Sequence, residues 1–217
     1  MNTMTRYPLT TLLALTFLPA LQSKEPSTAP CCETEEVQSH QHHEAGLPSG
    51  TPSAHSIFNV ESKWENQNGE QGPLAQIGGR AQIVAMVYTS CQYACPRILA
   101  DMKRIQSELE QIPAKNLGFC LITIDPERDT VEAYQAYAKR NKLESDRWTF
   151  LRGEEGDILE LANLLGVRYK KMPDGEFSHS NIITLLHSNG EIGYQLNGLG
   201  ADPVELITAA KKLFHHH

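Results

Sequence analysis

No block of lysine and arginine appears anywhere in this chain, and the formal net charge is −7. That balance excludes a nucleic-acid backbone as the natural partner. Long apolar runs are also scarce. Only residues 9–21 form one, and Thr10, Thr11, Thr16 and Pro19 interrupt it. It falls short of the ~20 apolar residues that span a bilayer, and no other segment competes with it. Hydrophobic residues make up 40% of the chain, enough for one core but below the usual share, so part of the chain is expected outside that core. Cysteine is sparse, with Cys31, Cys32, Cys91, Cys95 and Cys120 among 217 residues. An odd count excludes a fully paired structural set, and disulfide frameworks belong to shorter, cysteine-denser chains. At least one thiol is therefore free, reactive or metal-bound. No internal repeat stands out.

What is present divides into three parts. Arg6, the apolar stretch behind it and the small residues Ala20 and Ser23 read as an export leader over residues 1–23. Such a leader is either cleaved or kept as an N-terminal anchor that attaches the protein to a membrane. Residues 24–54 are rich in Pro, Ser, Thr, Glu and Gln, and too poor in large apolar residues to offset their ordering entropy. This linker carries Cys31, Cys32, His40, His42 and His43, and His55 borders it. Cys/His-rich tails can bind metal, but a solvated tail is the default reading. No apolar lipobox precedes Cys32, which argues against a lipid anchor there. Residues 55–217 are expected to form the folded domain, with three terminal histidines, His215, His216 and His217, at its end.

Within the domain, alternation over residues 57–64 predicts a strand, and Asn68-Gly69 a turn. Residues 83–88 (IVAMVY) and 119–124 (FCLITI) are short continuous apolar runs, as in buried parallel strands. Between them, Pro96 opens a helix whose Ile98, Leu99, Met102, Ile105, Leu109 and Ile112 recur at spacings of three and four. Asp129 or Thr130 caps the next helix. A short strand over 148–151, a helix over 157–165 stopped by Gly166, a hairpin around Asn189-Gly190 and a last helix from Asp202-Pro203 follow. The order β-α-β-α-β-α-β-β-α demands right-handed crossovers and parallel central strands. It predicts an α/β fold: a thioredoxin-like mixed sheet with helices on both faces and extra N-terminal strands.

The chemistry centres on Cys91 and Cys95, with three residues between them, where the first core strand meets its helix. Unpaired N–H groups and the positive end of the helix dipole favour thiolate there. The pair can cycle between dithiol and disulfide, or chelate a metal when reduced; a static disulfide is the bland alternative. His179, just before the strand at 181–186, is the leading third donor. Two thiolates and one imidazole form a soft set suited to copper or zinc, and three donors lean towards copper because structural zinc wants four. Cys120 lies inside an apolar strand and reads as an inert core thiol. Pro126 ends that strand, and Asp125 falls at the carboxyl edge of the parallel strands, where sites form.

Three segments together, Tyr88-Thr-Ser-Cys91-x-x-x-Cys95-Pro96, Ile124-Asp-Pro-Glu-Arg-Asp-Thr130 and Ser178-His179-Ser180, resemble the SCO/SenC family over about residues 56–213. These are thioredoxin-like copper proteins associated with cytochrome c oxidase assembly. The resemblance implies copper ligation by Cys91, Cys95 and His179. It also implies a copper-handling role towards oxidase subunit II or another cuproprotein, in the periplasm or on the periplasmic face of the inner membrane. Members often carry Pro after the first Cys and Asp before the His; Gln92 and Ser178 stand in those places here. The alternative function is a thiol–disulfide oxidoreductase in which Cys91 attacks, Cys95 resolves and a thiol-redox donor restores the pair. A peroxidase would need a peroxide pocket that no residue set identifies.

Overall fold

The computed structural model describes residues 53–143 and 146–214. The leader, residues 24–52 of the linker with Cys31, Cys32, His40, His42 and His43, and residues 144–145 and 215–217 lie outside the described residues. Strands β1 (Trp64–Asn66) and β2 (Gln71–Gly72) come first, then β3 (Ala81–Val87), α1 (Ala94–Glu108) and β4 (Leu117–Thr123). Next are α2 (Val131–Asn141), β5 (Trp148–Arg152) and α3 (Glu155–Leu164). The chain closes with β6 (Tyr169–Lys171), β7 (Phe177–His179), β8 (Ile182–Leu186), β9 (Ile192–Asn197) and α4 (Val204–Lys212).

Seven strands form one mixed sheet in the order β2-β1-β5-β4-β3-β8-β9. The β3–β4 and β4–β5 pairs are parallel, whereas β1, β8 and β9 join antiparallel to their neighbours. Every residue of β3 and β4 is buried, so both faces of the centre are covered. This is why those strands are continuous apolar runs rather than alternating ones. The helical stripe Ile98, Leu99, Met102 and Ile105 is buried, and Leu109 and Ile112 extend it past the end of α1. Trp148 stacks on Phe119 at 4.9 Å, while its indole N–H donates to Gln106 on α1 at 2.8 Å. A large ring is thus buried without stranding its polar atom.

Two local expectations are corrected. Residues 57–64 do not make a strand. Ile57–Asn59 is a 3₁₀ turn in which the Ser56 hydroxyl accepts from the Phe58 N–H. Ile57 and Phe58 are both buried, and the Ile57 N–H donates to Gly190 of the β8–β9 turn. A tertiary contact thereby overrides the local alternation. The predicted Asn68-Gly69 turn does form, with Gly69 at φ +79°. It joins β1 to β2, and the Asn66 side chain accepts from the N–H groups of Asn68 and Glu70. The second correction is an addition. The β6–β7 hairpin is a separate two-stranded sheet, turning at Asp174-Gly175 with Gly175 at φ +83°. It carries His179.

Candidate metal centre

Cys91 lies in the turn after β3, and Cys95 is the second residue of α1. Pro96 follows it, still within the first turn, where a missing N–H leaves no helical acceptor short. The Cys91 sulfur accepts from the Cys95 N–H at 3.4 Å, so it caps a free donor of the helix start. The Cys95 sulfur is buried behind it and accepts from the Tyr88 N–H at 3.5 Å. His179, at the end of β7, places Nε2 3.6 Å from that sulfur. One donor atom from each of Cys91, Cys95 and His179 lies within 4.8 Å of the other two. Among the described residues this is the one such His/Cys/Asp/Glu group. Both cysteines are thiols, and Cys120 is a fully buried thiol in β4, as expected of a core residue.

The protonation states suit a soft metal. His179 Nδ1 sits 3.0 Å from the Ser180 carbonyl, which can only accept, so the proton resides on Nδ1 and the Nε2 lone pair faces the thiols. Burial holds the His179 pKa below its ordinary value and keeps the ring neutral. For Cys91, burial opposes ionisation. The N–H groups of Cys95 and Tyr93 lead the contacts that outweigh it, leaving the pKa below the ordinary thiol value. Cys95 is pushed the other way, first by burial and then by the neighbouring Cys91 thiolate. The site therefore offers one thiol that ionises more readily than usual, one neutral imidazole and one thiol that burial holds against ionisation.

Tyr88, whose role the sequence did not single out, and Asp125 and Asp129, read there as a strand-edge and a capping residue, hold this arrangement. Tyr88 is buried, and its ring meets His179 edge-on at 6.1 Å. Its hydroxyl donates to Glu176 at 3.0 Å and accepts from the Phe177 N–H at 3.3 Å. Asp129 does not cap α2; Thr130 does, accepting from the Ala133 N–H. Asp129 instead accepts from the Thr89 N–H, the Thr89 hydroxyl and the Thr123 hydroxyl, which ties the Cys91 turn to β4. Asp125 is buried at the end of β4 and pairs with Arg128. The Asp-Pro-Glu-Arg-Asp-Thr segment thus ends a strand and caps a helix, as expected, and also braces both halves of the site. Only its turn chemistry was legible locally; the partners that brace the site, Thr89 and Gly175, lie 40 and 47 residues away.

A thioredoxin-like α/β sheet bearing a Cys-Cys-His cluster at the start of its first helix defines a class of thiol- and metal-handling proteins. The model of the SCO1/SenC family matches residues 53–215, and the chain belongs to that family. The SCO1 protein homolog of Bacillus subtilis is 27% identical over 154 residues, covering 69% of this chain and 78% of that one. Among solved structures, Arabidopsis thaliana ScoI with copper bound superposes with a TM-score of 0.61 at 21% identity, over 70% of this chain and 95% of that one. BsSco, a member of the Sco family of cytochrome c oxidase assembly proteins, gives 0.60 at 26% identity, over 71% and 92%. Among the described residues no helix is long and apolar enough to cross a membrane.

Proposed function

We propose that this protein is an exported copper chaperone that binds copper through Cys91, Cys95 and His179 and serves the copper site of cytochrome c oxidase. The observation that carries the reading is the convergence of three soft donor atoms within 4.8 Å, with the imidazole Nε2 left bare by the Nδ1 bond to Ser180. Thiolate and imidazole together suit copper, which here is cargo to be handed on. Membership of the SCO1/SenC family, and relatives described as copper-bound or as oxidase assembly proteins, support the same reading. The client is then oxidase subunit II or another cuproprotein. The sequence of residues 1–23 supports a periplasmic location, free or anchored at the inner membrane, with residues 24–54 as the tether of the domain at 55–217.

The test is anaerobic titration of the reduced full chain with Cu(I) against a chelating competitor. Alanine at Cys31, Cys32, His40, His42, His43 and His55 and at 215–217 removes the competing donors. One copper per chain is expected, abolished by Cys91→Ala or Cys95→Ala and weakened by His179→Ala. Undiminished binding in all three variants would end this reading.

One observation favours a second reading, a thiol–disulfide oxidoreductase. Cys91 is partly exposed, whereas Cys95 is buried within reach of it. In that reaction the Cys91 thiolate attacks a client disulfide and releases one client thiol. Cys95 then attacks the Cys91 sulfur, releasing the second client thiol and leaving a Cys91–Cys95 disulfide. Two electrons pass to the client, and a thiol-redox donor must restore them. His179→Ala should leave this exchange intact while crippling copper transfer.

A further inference from the structure

The β6–β7 hairpin that carries His179 pairs with no strand of the seven-stranded sheet. Apart from the short backbone link from His179 to β8, its position against the two cysteines depends on side chains. Tyr88 and Arg128 supply most of these contacts, and Arg128 is the one that also reaches the buried end of β4. Its Nε pairs with Asp125, fixed at the buried end of β4. Its Nη2 donates to the Gly175 carbonyl at 2.7 Å, and its Nη1 lies 3.5 Å from Glu176. The guanidinium also lies over Tyr88 at 5.8 Å and over Phe177 at 6.0 Å. Glu176 continues the chain of contacts to the Tyr88 hydroxyl, and the Tyr88 N–H reaches the Cys95 sulfur.

We infer that Arg128 is a positioning residue for His179. Two hydrogen-bonding N–H groups of one guanidinium, with an ion pair to Glu176, link the His-bearing hairpin to the strand end behind the cysteines. The inference deepens the proposed copper reading and rests on it for its effect on affinity. Its mechanical part concerns the metal-free protein alone. Three contacts in a planar fork also mean that a lysine point charge cannot replace it.

The experiment compares the full chain, with the competing donors removed as above, to Arg128→Gln, Arg128→Lys and Glu176→Gln. Amide hydrogen exchange is read first, without metal. The hairpin amides of Met172, Phe177 and Ser180 should exchange faster in all three variants, with those of β3 and β4 unchanged. Cu(I) affinity should fall about 10- to 100-fold in Arg128→Gln, the scale for partners that orient a metal ligand. It should not fall further when Arg128→Gln is added to His179→Ala, because the ligand being positioned is already gone. Hairpin exchange unchanged in the variants would overturn the inference. So would an equal affinity loss in the His179→Ala background, or full recovery by Arg128→Lys. If the unsubstituted protein binds no copper at Cys91 and Cys95 but the hairpin still loosens, the copper reading fails and the positioning role of Arg128 stands.

Discussion

Replacing Asp129 tests how firmly the Cys91 turn is tied to the sheet. Its carboxylate is fully buried, with both oxygens 3.1 Å from the Thr89 N–H. The Thr89 hydroxyl donates to it at 2.5 Å and the Thr123 hydroxyl at 2.6 Å. In Asp129→Ala all three donors lose their acceptor. A buried donor left unpaired costs about 1–3 kcal/mol. Thr89 is only part-buried, so its N–H and hydroxyl carry the low end, whereas the buried Thr123 hydroxyl can carry up to the high end. The sum is about 3–5 kcal/mol, read as a fall in urea midpoint with an unchanged m-value. Asp129→Asn keeps one acceptor oxygen and should lose about 1–2 kcal/mol. The pH dependence has a defined sign. Burial is the main cause of a raised Asp129 pKa, so the folded state holds this proton when the unfolded state has released it. Its contribution is complete below the ordinary aspartate range and declines as pH rises through the higher folded value. The gap between wild type and Asp129→Asn should therefore be widest in acid and narrow upward through that window. A loss below about 1 kcal/mol in Asp129→Ala, or a gap that widens with rising pH, would refute the reasoning.

The acidities of the thiols predict a labelling order. Under limiting iodoacetamide, with sites resolved by peptide mass, Cys91 should alkylate before Cys95 and Cys120 and keep its reactivity below the ordinary thiol range. Equal rates for Cys91 and Cys95 would contradict this order. Gly190→Ala should destabilise by about 2–4 kcal/mol in the same urea assay, from a left-handed backbone and overpacking together. Gly190 has φ +85°, and a Cβ there would lie 2.5 Å from Ser56 Oγ and 2.6 Å from the Phe58 ring. A neutral effect would show that the Ser56–Phe58 segment does not pack as described.

Much of the sheet was legible because its signals are local. Residues 83–88 are apolar without interruption, 119–124 are broken only by Thr123, and α1 repeats at three and four. Asn189-Gly190 marks a turn that only glycine enters easily. The first cysteine pair was legible for the same reason, since its setting is a single strand-to-helix junction. The β6–β7 hairpin was not read as strands. Tyr169, Lys170, Lys171 and Met172 offer no alternation, and Asp174-Gly175 was the sole local cue. That hairpin is held by Arg128, Tyr88 and the Lys171–Glu127 pair, contacts that join distant parts of the chain. The same applies to Ile57 and Phe58, whose conformation answers to Gly190. His179 could be named as a donor from its place before a core strand and from the family resemblance. The network that aims it required the tertiary structure.

The central claim is tested most directly by the X-ray absorption spectrum of the reduced full chain loaded with one equivalent of Cu(I). The account predicts a shell of two sulfurs and one imidazole nitrogen, reduced to sulfur alone at the protein ligands in His179→Ala and dismantled in Cys91→Ala/Cys95→Ala. A copper shell unchanged by those substitutions would place the metal elsewhere in the chain and contradict the account.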